Sequence, residues 1–344
     1  MAVAIDIRSI WFIVAELFRP NAFVLIFAVI LDLLLGDPVY PLHPIRLMGH
    51  TLSLFERGLR RIGADGYGGG IALFFLLAIF WVGGTVVLLV AWFIISWKLL
   101  FVLEVFLAYS CLALRDLLKH SWAVEKAARA GDLAGARIAI ARLVGRDTDR
   151  MDIAACRRAA IESLSENLTD GFTSAIAWYV VAGLPGLVLF KVVSTMDSMV
   201  GNKTPRYLKF GWCGARLDDV MNFVPARLTW LLISVVAIFV PRCSAAKALR
   251  IGWTQHAILP GPNSGWSEAA TAGGIQRKLI GPIWMNGALV TDVWVGDAED
   301  PAAGEDDSDV WRASVLVCAT GLVFAAVAVG IVTMLFGFGR LGSS

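Results

Sequence analysis

Charge is scarce in this chain. Only 17% of its 344 residues are Asp, Glu, Lys or Arg, where soluble domains carry about 25%, and the mean hydropathy is +0.70. That deficit excludes an ordinary soluble enzyme and marks an integral membrane protein. Neither sign is in surplus: 30 basic residues meet 28 acidic ones, for a net charge of +2. Nothing is left over to neutralise a phosphate backbone, so nucleic acid is not an expected partner. The five cysteines (Cys111, Cys156, Cys213, Cys243, Cys318) are scattered with no CxxC, which argues against a disulfide framework or a zinc site. GNKTPR at 201–206 is not a Walker A, because Asn202 interrupts the Gly-Lys-Ser/Thr order. No GxGxxG opens a helix, and no internal repeat is present. Acids at Asp6 and Glu16 and the lack of a small-residue cleavage site predict no removable signal peptide, so the first span is read as the insertion signal.

What the sequence does have is long apolar runs. The expected fold is all-α: a polytopic helical membrane protein, one membrane-embedded domain over residues 1–344 with cytoplasmic helical and loop insertions. Residues 1–19 read as an amphipathic interfacial lead. Apolar segments follow at Ala22–Leu35, Ile71–Trp97, Leu99–Leu114, Phe172–Val193, Phe223–Val240 and Ala313–Phe336, against the roughly 20 residues a span needs. Pro38, Pro41 and Pro44 forbid continuous helix through GDPVYPLHPIR. Residues 115–171 read as a helical insert. Asp132 is set to cap a short helix there, and Thr148 or Asp149 to cap another running to Asn167. The insert's ten Lys and Arg predict a cytoplasmic position. Residues 241–312 read as a polar loop region, with a Gly/Asn/Pro-rich part at 260–287 and a solvated acidic run at 297–309. Gly183-Leu-Pro-Gly186 breaks the fourth run. Either that run crosses once, or it is a re-entrant pair of half-helices. The basic residues after it (Lys203, Arg206, Lys209, Arg216) favour the cytoplasm for the second polar block as well, and so the re-entrant form, whose irregular backbone at membrane depth needs protein around it.

The residues with chemistry lie in two polar blocks on either side of that run. Ionisable groups against a bilayer are expensive and usually functional. Glu162 and Glu166, with Arg158, share one helix face at spacing four. They form either a carboxylate pair for Mg²⁺ or acid–base work, or an ordinary solvated ladder. Asn167 and Asp170 extend the oxygen ligands. Asp218, Asp219 and Asn222 make a similar set, which also suits a helix N-terminus. Hard-oxygen clusters of this kind suit Mg²⁺, which normally accompanies a phosphate. Lys203, Arg206, Arg227, Arg46 and Arg146 could hold one, or anchor the topology. His43 stands between prolines. PNSGWSEA at 262–269 places Asn263, Trp266 and Glu268 in a turn-then-helix, with Ser264 or Ser267 as cap. Trp266 reads as an interfacial anchor, or as a flat surface for a large ring system. From residue chemistry the result is a membrane protein, plausibly a Mg²⁺- and phosphate-dependent enzyme.

Five stretches carry a resemblance: DLLLGDPVYPLHPIRLMG (32–49), GRDTDRMD (145–152), ESLSENLTDG (162–171), STMDSMVGNKTPRYLKFGWCGARLDDVMNFVPARLT (194–229) and PNSGWSEAATAGG (262–274). In this order they resemble the CbiB/CobD family of cobalamin biosynthesis, the adenosylcobinamide-phosphate synthases. The resemblance implies an ATP-dependent ligase of the cytoplasmic membrane. It would join a propionate carboxyl of adenosylcobyric acid to (R)-1-amino-2-propanol or its O-phosphate. On the matched motifs, Glu162, Glu166, Asp170, Asp218, Asp219 and His43 become the catalytic candidates, with Glu162, Glu166 and Asp219 as Mg²⁺ ligands. Lys203, Arg206, Arg227 and Arg46 would hold phosphates of ATP or of the amino-alcohol phosphate. Asn167, Asn202, Asn222 and Asn263 would bond corrin amides, and Trp266 would offer the ring surface. A homo-oligomer and contacts with other late corrinoid enzymes are left open. The competing readings are an AmpE-like sensor, which need not keep so many acids and amides, and a corrinoid or amine transporter, which would want inverted repeats.

Overall fold

The computed structural model describes residues 15–38 and 40–337. The interfacial lead expected over 1–19 and the last residues of the chain therefore lie mostly outside the described residues. Helix dominates. Tyr67–Ile95, Trp97–Arg129, Ile153–Val200, Trp212–Val236 and Asp309–Phe336 are long and apolar enough to cross a membrane, and the chain is a multi-pass helical membrane protein. Phe75, Ile79, Phe80 and Val87 on the first of them are exposed; such a surface is unfavourable in water and comfortable in lipid. The Ala22–Leu35 helix has 14 residues. At about 1.5 Å per residue it reaches about 21 Å, short of the roughly 30 Å hydrocarbon core.

Helix boundaries correct several sequence expectations. The segment expected at Phe223 starts at Trp212. Asp218 and Asp219 therefore stand inside the helix, beyond the first turn where a macrodipole acts. The cap of Ile153–Asn167 is Asp152, which accepts the Ala155 N–H at 2.7 Å; neither Thr148 nor Asp149 does this. That helix continues through a π-turn, Leu168–Thr173, which carries Asp170. Asp132 caps Leu133–Ile140 as expected, accepting from Gly135 N–H at 2.8 Å.

The chain forms two compact units. One comprises Met1–Leu112, Ser174–Met221 and Ala325–Ser344; the other comprises Ala113–Thr173 and Asn222–Phe324. The insert and the 241–312 region thus belong to one unit. In the first unit, Phe27 and Phe101 meet edge to face at 5.9 Å, and Trp81 Nε1 donates to Thr51 Oγ1 at 2.9 Å. The helix Ser174–Val200 is interrupted at Ala182 and Gly183, the latter at φ 57° and ψ −153°, a region that only glycine enters without strain. A Cβ built on Gly186 would lie 2.5 Å from the Trp178 carbonyl oxygen. A straight helix would separate residues eight apart by about 12 Å. The chain therefore folds back at this break, the geometry of paired half-helices.

The second unit packs Val124, Ala136, Ile140, Cys156, Ala159 and Ala160 into one core. It also holds a β-hairpin, Leu279–Met285 against Ala288–Val295, where sequence reading placed a loop. Asn286 and Gly287, both at positive φ (52° and 78°), form its two-residue turn, the dipeptide such turns favour. The acidic run at 297–309 is not a uniformly solvated loop. Asp309 is fully buried beside Arg312 and Arg277, the latter at 2.9 Å. Asp300 meets Lys247 and Asp297 meets Arg250, both at 2.6 Å.

Candidate functional site

In the second unit the helix Ile153–Asn167 presents Arg158 and Glu162 one turn apart, and both engage the backbone of the same residue, Ile280. Glu162 accepts the Ile280 N–H at 3.0 Å, while Arg158 Nε donates to the Ile280 carbonyl at 2.9 Å. Ile280 sits at φ 72°, a left-handed conformation that is an outlier for a β-branched residue. The clamp holds it there, at the base of the hairpin. The second Glu162 oxygen pairs with Arg146, and the Arg158 guanidinium lies 4.8 Å over the Trp294 ring. At the other end of the hairpin, Asp147 accepts the N–H groups of Asn286 and Gly287 at 3.1 and 2.7 Å. Glu162 is therefore neither a carboxylate left open for a metal beside Glu166 nor part of a solvated ladder; with Arg158 it fastens the hairpin.

Around that fastening lies an acidic group. Glu268 is buried and its carboxyl is pushed well above the usual carboxylate range. Burial is the main cause, followed by the charges of Glu166 and Glu162; Arg146 offsets part of this and Asp170 adds to it. Glu166 is exposed and Asp170 half-buried, so the group reaches from the interior to the surface. Glu268 was not ranked among the site residues by sequence: 106 positions separate it from Glu162, and no local spacing links them. Asn167 turns back on its own helix, donating to the Ser163 carbonyl at 2.8 Å. Among the described residues, no three or more His, Cys, Asp or Glu side chains are grouped to hold a metal ion.

Trp266 is 4% exposed, which rules out its reading as an interfacial anchor. It stacks on His256 at 3.7 Å and 16° and packs against Trp230 at 4.8 Å. The Arg227 guanidinium lies 4.8 Å over Trp266 and 3.4 Å over Phe223, and reaches Asn263 Oδ1 at 3.5 Å. Asn263 itself is the N-cap of Ser264–Ile275, in place of the expected serines. Asn222 is buried.

The first unit carries its own set. His43, at the N-cap of Pro44–Arg61 with proline in the first turn, lies 2.7 Å through Nε2 from Asp37. Its imidazole is pushed below the ordinary range, chiefly by burial; Asp37 opposes that and Arg46 adds to it. Sequence reading did not single out Asp37. Asn202, Lys203 and Arg46 are exposed. Arg206 reaches Glu56 at 3.1 Å, a carboxylate it shares with Arg60 at 2.8 Å. Asp219 pairs with Arg216 at 3.1 Å, and Asp218 is half-buried.

These matched motifs can be set beside known proteins. The model of the CobD/Cbib protein family matches residues 25–336. This chain belongs to the CobD/CbiB family. A cobalamin biosynthesis protein CobD of Sinorhizobium sp is 40% identical over 297 residues, covering 83% of this chain and 91% of the relative. The Klebsiella pneumoniae protein of the same name is 38% identical over 298 residues, covering 84% and 93%. The Salmonella typhi cobalamin biosynthesis protein CbiB is 36% identical over 303 residues, also covering 84% and 93%. No solved structure matches the chain.

Proposed function

We propose that this CobD/CbiB protein acts in cobalamin biosynthesis as the ligase that forms an amide between a propionate carboxyl of adenosylcobyric acid and (R)-1-amino-2-propanol or its O-phosphate. The observation that carries the mechanism is Glu268, a buried carboxyl held protonatable among Glu166, Glu162 and Asp170. A carboxylate and an ammonium do not condense unaided. ATP activates the carboxyl as an acyl phosphate with release of ADP; the amine then attacks, and inorganic phosphate leaves.

The chain's own residues have three tasks. The attacking amine must lose a proton, and Glu268, in its ionised form a carboxylate with a raised affinity for protons, is suited to take it. His43, its proton affinity lowered by burial and its ring oriented by Asp37, is the second candidate for a proton carrier. Lys203 and Arg206 meet phosphate charge. Arg227 and Asn263, beside Trp266, meet the amide-bearing rim of the corrin, as does Asn222.

Mg²⁺ typically binds through one or two carboxylates plus substrate phosphates, and keeps several waters. The donor set here fits that description and not an all-protein cage, because among the described residues no three or more His, Cys, Asp or Glu side chains are grouped. Glu166 and Asp170 would hold Mg²⁺ brought with ATP, and the ion would neutralise charge on the transferring phosphoryl group. The ten Lys and Arg of the insert at 115–171 support a cytoplasmic position for this chemistry.

The test is isotopic. Adenosylcobyric acid labelled with ¹⁸O in the reacting carboxyl should deliver one ¹⁸O atom to inorganic phosphate per amide formed. Label in AMP, or in neither product, would overturn the acyl-phosphate route.

A further inference from the structure

His256 is one of four histidines and lies outside the motifs that carry the family resemblance. It closes the helix Ala245–Gln255 as its C-cap. Its Nδ1 lies 2.8 Å from the Trp253 carbonyl and 3.2 Å from that of Gly252. A carbonyl can only accept, so Nδ1 carries the proton and Nε2 holds the lone pair. Among the described residues, no protein donor reaches Nε2. One face of the ring is covered by Trp266 at 3.7 Å, nearly parallel, which fixes the ring plane. The imidazole is only half-buried, while Trp253 and Ile258 beside it in sequence are 62% and 44% exposed.

This is the preparation of a metal-ligating histidine. A backbone carbonyl on the far nitrogen sets the tautomer and leaves the lone pair on the ligating one. Packing holds the ring without rotational freedom, and exposed apolar surface lies alongside. A polar pair, Arg227 and Asn263, stands next to the same tryptophan. No second protein ligand accompanies His256, so the metal must arrive in a carrier that fills its other positions. A corrinoid that has not received its nucleotide loop is such a carrier. Its four ring nitrogens hold cobalt, and its lower axial position is left to water.

We propose that His256 Nε2 is the lower axial ligand to the cobalt of the bound corrinoid, displacing that water, with Trp266 bracing the imidazole. The proposal rests on the corrinoid substrate class inferred above. Ligation would seat the macrocycle at a fixed height and leave its rim to Arg227 and Asn263. No bond to carbon is made or broken in this step; one water leaves cobalt as one nitrogen lone pair enters.

The probe is cobyric acid reduced to cobalt(II), added to the full-length protein in lipid nanodiscs and read by electron paramagnetic resonance. The unpaired electron of low-spin cobalt(II) lies along the axial direction, so one ¹⁴N ligand splits each resolved cobalt line into three. Protein labelled with ¹⁵N-histidine should turn each triplet into a doublet. His256→Ala should bind the corrinoid and show no nitrogen splitting. If that variant does not fold, a chain carrying His43→Gln, His50→Gln and His120→Gln, with His256 as its sole histidine, should still show the triplet. Bound corrinoid with unsplit lines in the parent protein, or a triplet that persists in His256→Ala, would overturn the axial assignment and leave the ligase reading standing. Absence of any corrinoid binding would overturn both.

Discussion

The two units treat the charges of the matched motifs differently. In the second, ionisable side chains are turned inward and matched. Glu162 meets Arg146, Glu125 meets Arg157 at 2.8 Å, and Asp309 meets Arg312. In the first, the cations proposed to meet phosphate stay outside: Lys203 and Arg46 are exposed, as is Arg206. The lesson is that two residues of the same type in matched motifs need not share a task. A buried charge with partners holds backbone in place, as Glu162 holds Ile280. An exposed cation such as Lys203, for which the described residues show no ion pair, is available to an anionic ligand.

Breaking the inward set should have the largest effect. Glu162→Gln leaves Arg146 buried without its counter-charge and loosens the hairpin. Removing one partner of a buried pair costs about 3–5 kcal/mol. A large drop in the thermal midpoint, followed by tryptophan fluorescence in detergent, is the expected outcome; an unchanged midpoint would erase the difference between the units. Next comes Gly183→Val in the first unit, where φ 57° and ψ −153° exclude a branched side chain at a cost of about 1–3 kcal/mol. The same melting experiment reads it.

The pH dependence sharpens the contrast further. Glu268 has a raised folded-state pKa, so its protonated form is the one the fold favours. Its contribution is fully present below the unfolded value of about 4.3 and is lost as pH rises through the folded value. Without Mg²⁺ or nucleotide, Glu268→Gln should be more stable than the parent above that range and equal to it in acid, as thermal midpoints across a pH series would show. The smallest effect on stability belongs to Lys203→Ala. Its midpoint should not move, while KM for the phosphorylated amino alcohol rises about tenfold or more, as loss of a hydrogen bond to a charged group implies. An equal rise for the unphosphorylated amine would remove Lys203 from phosphate binding.

Much of the architecture was legible because a membrane span is a local property. Apolar runs of sufficient length, Asp132 before its helix and Gly183 in the broken run all act within a few residues of themselves. The hairpin was marked by Asn286-Gly287, but Pro282 and the surrounding glycines hid it inside a stretch read as loop. The acids at 297–309 looked solvated because their arginine and lysine partners, Arg250, Arg277 and Lys247, lie elsewhere in the chain. Glu268, Asp37 and His256 share that difficulty. Their meaning comes from burial, from a neighbour's carboxylate, or, for His256, from the tryptophan ten residues on that stacks on its ring, and none of these is marked by a sequence pattern.

The central claim is ATP-driven amide formation, and turnover tests it most directly. Purified protein in nanodiscs would be incubated with adenosylcobyric acid, Mg²⁺ and ATP, and with aminopropanol or aminopropanol phosphate in separate reactions read by mass spectrometry. The expected result is an ATP-dependent mass gain of one amide with at least one of the two amines. A well-folded sample that binds substrate yet yields no amide from either would contradict the ligase and return the chain to a sensing or transport role.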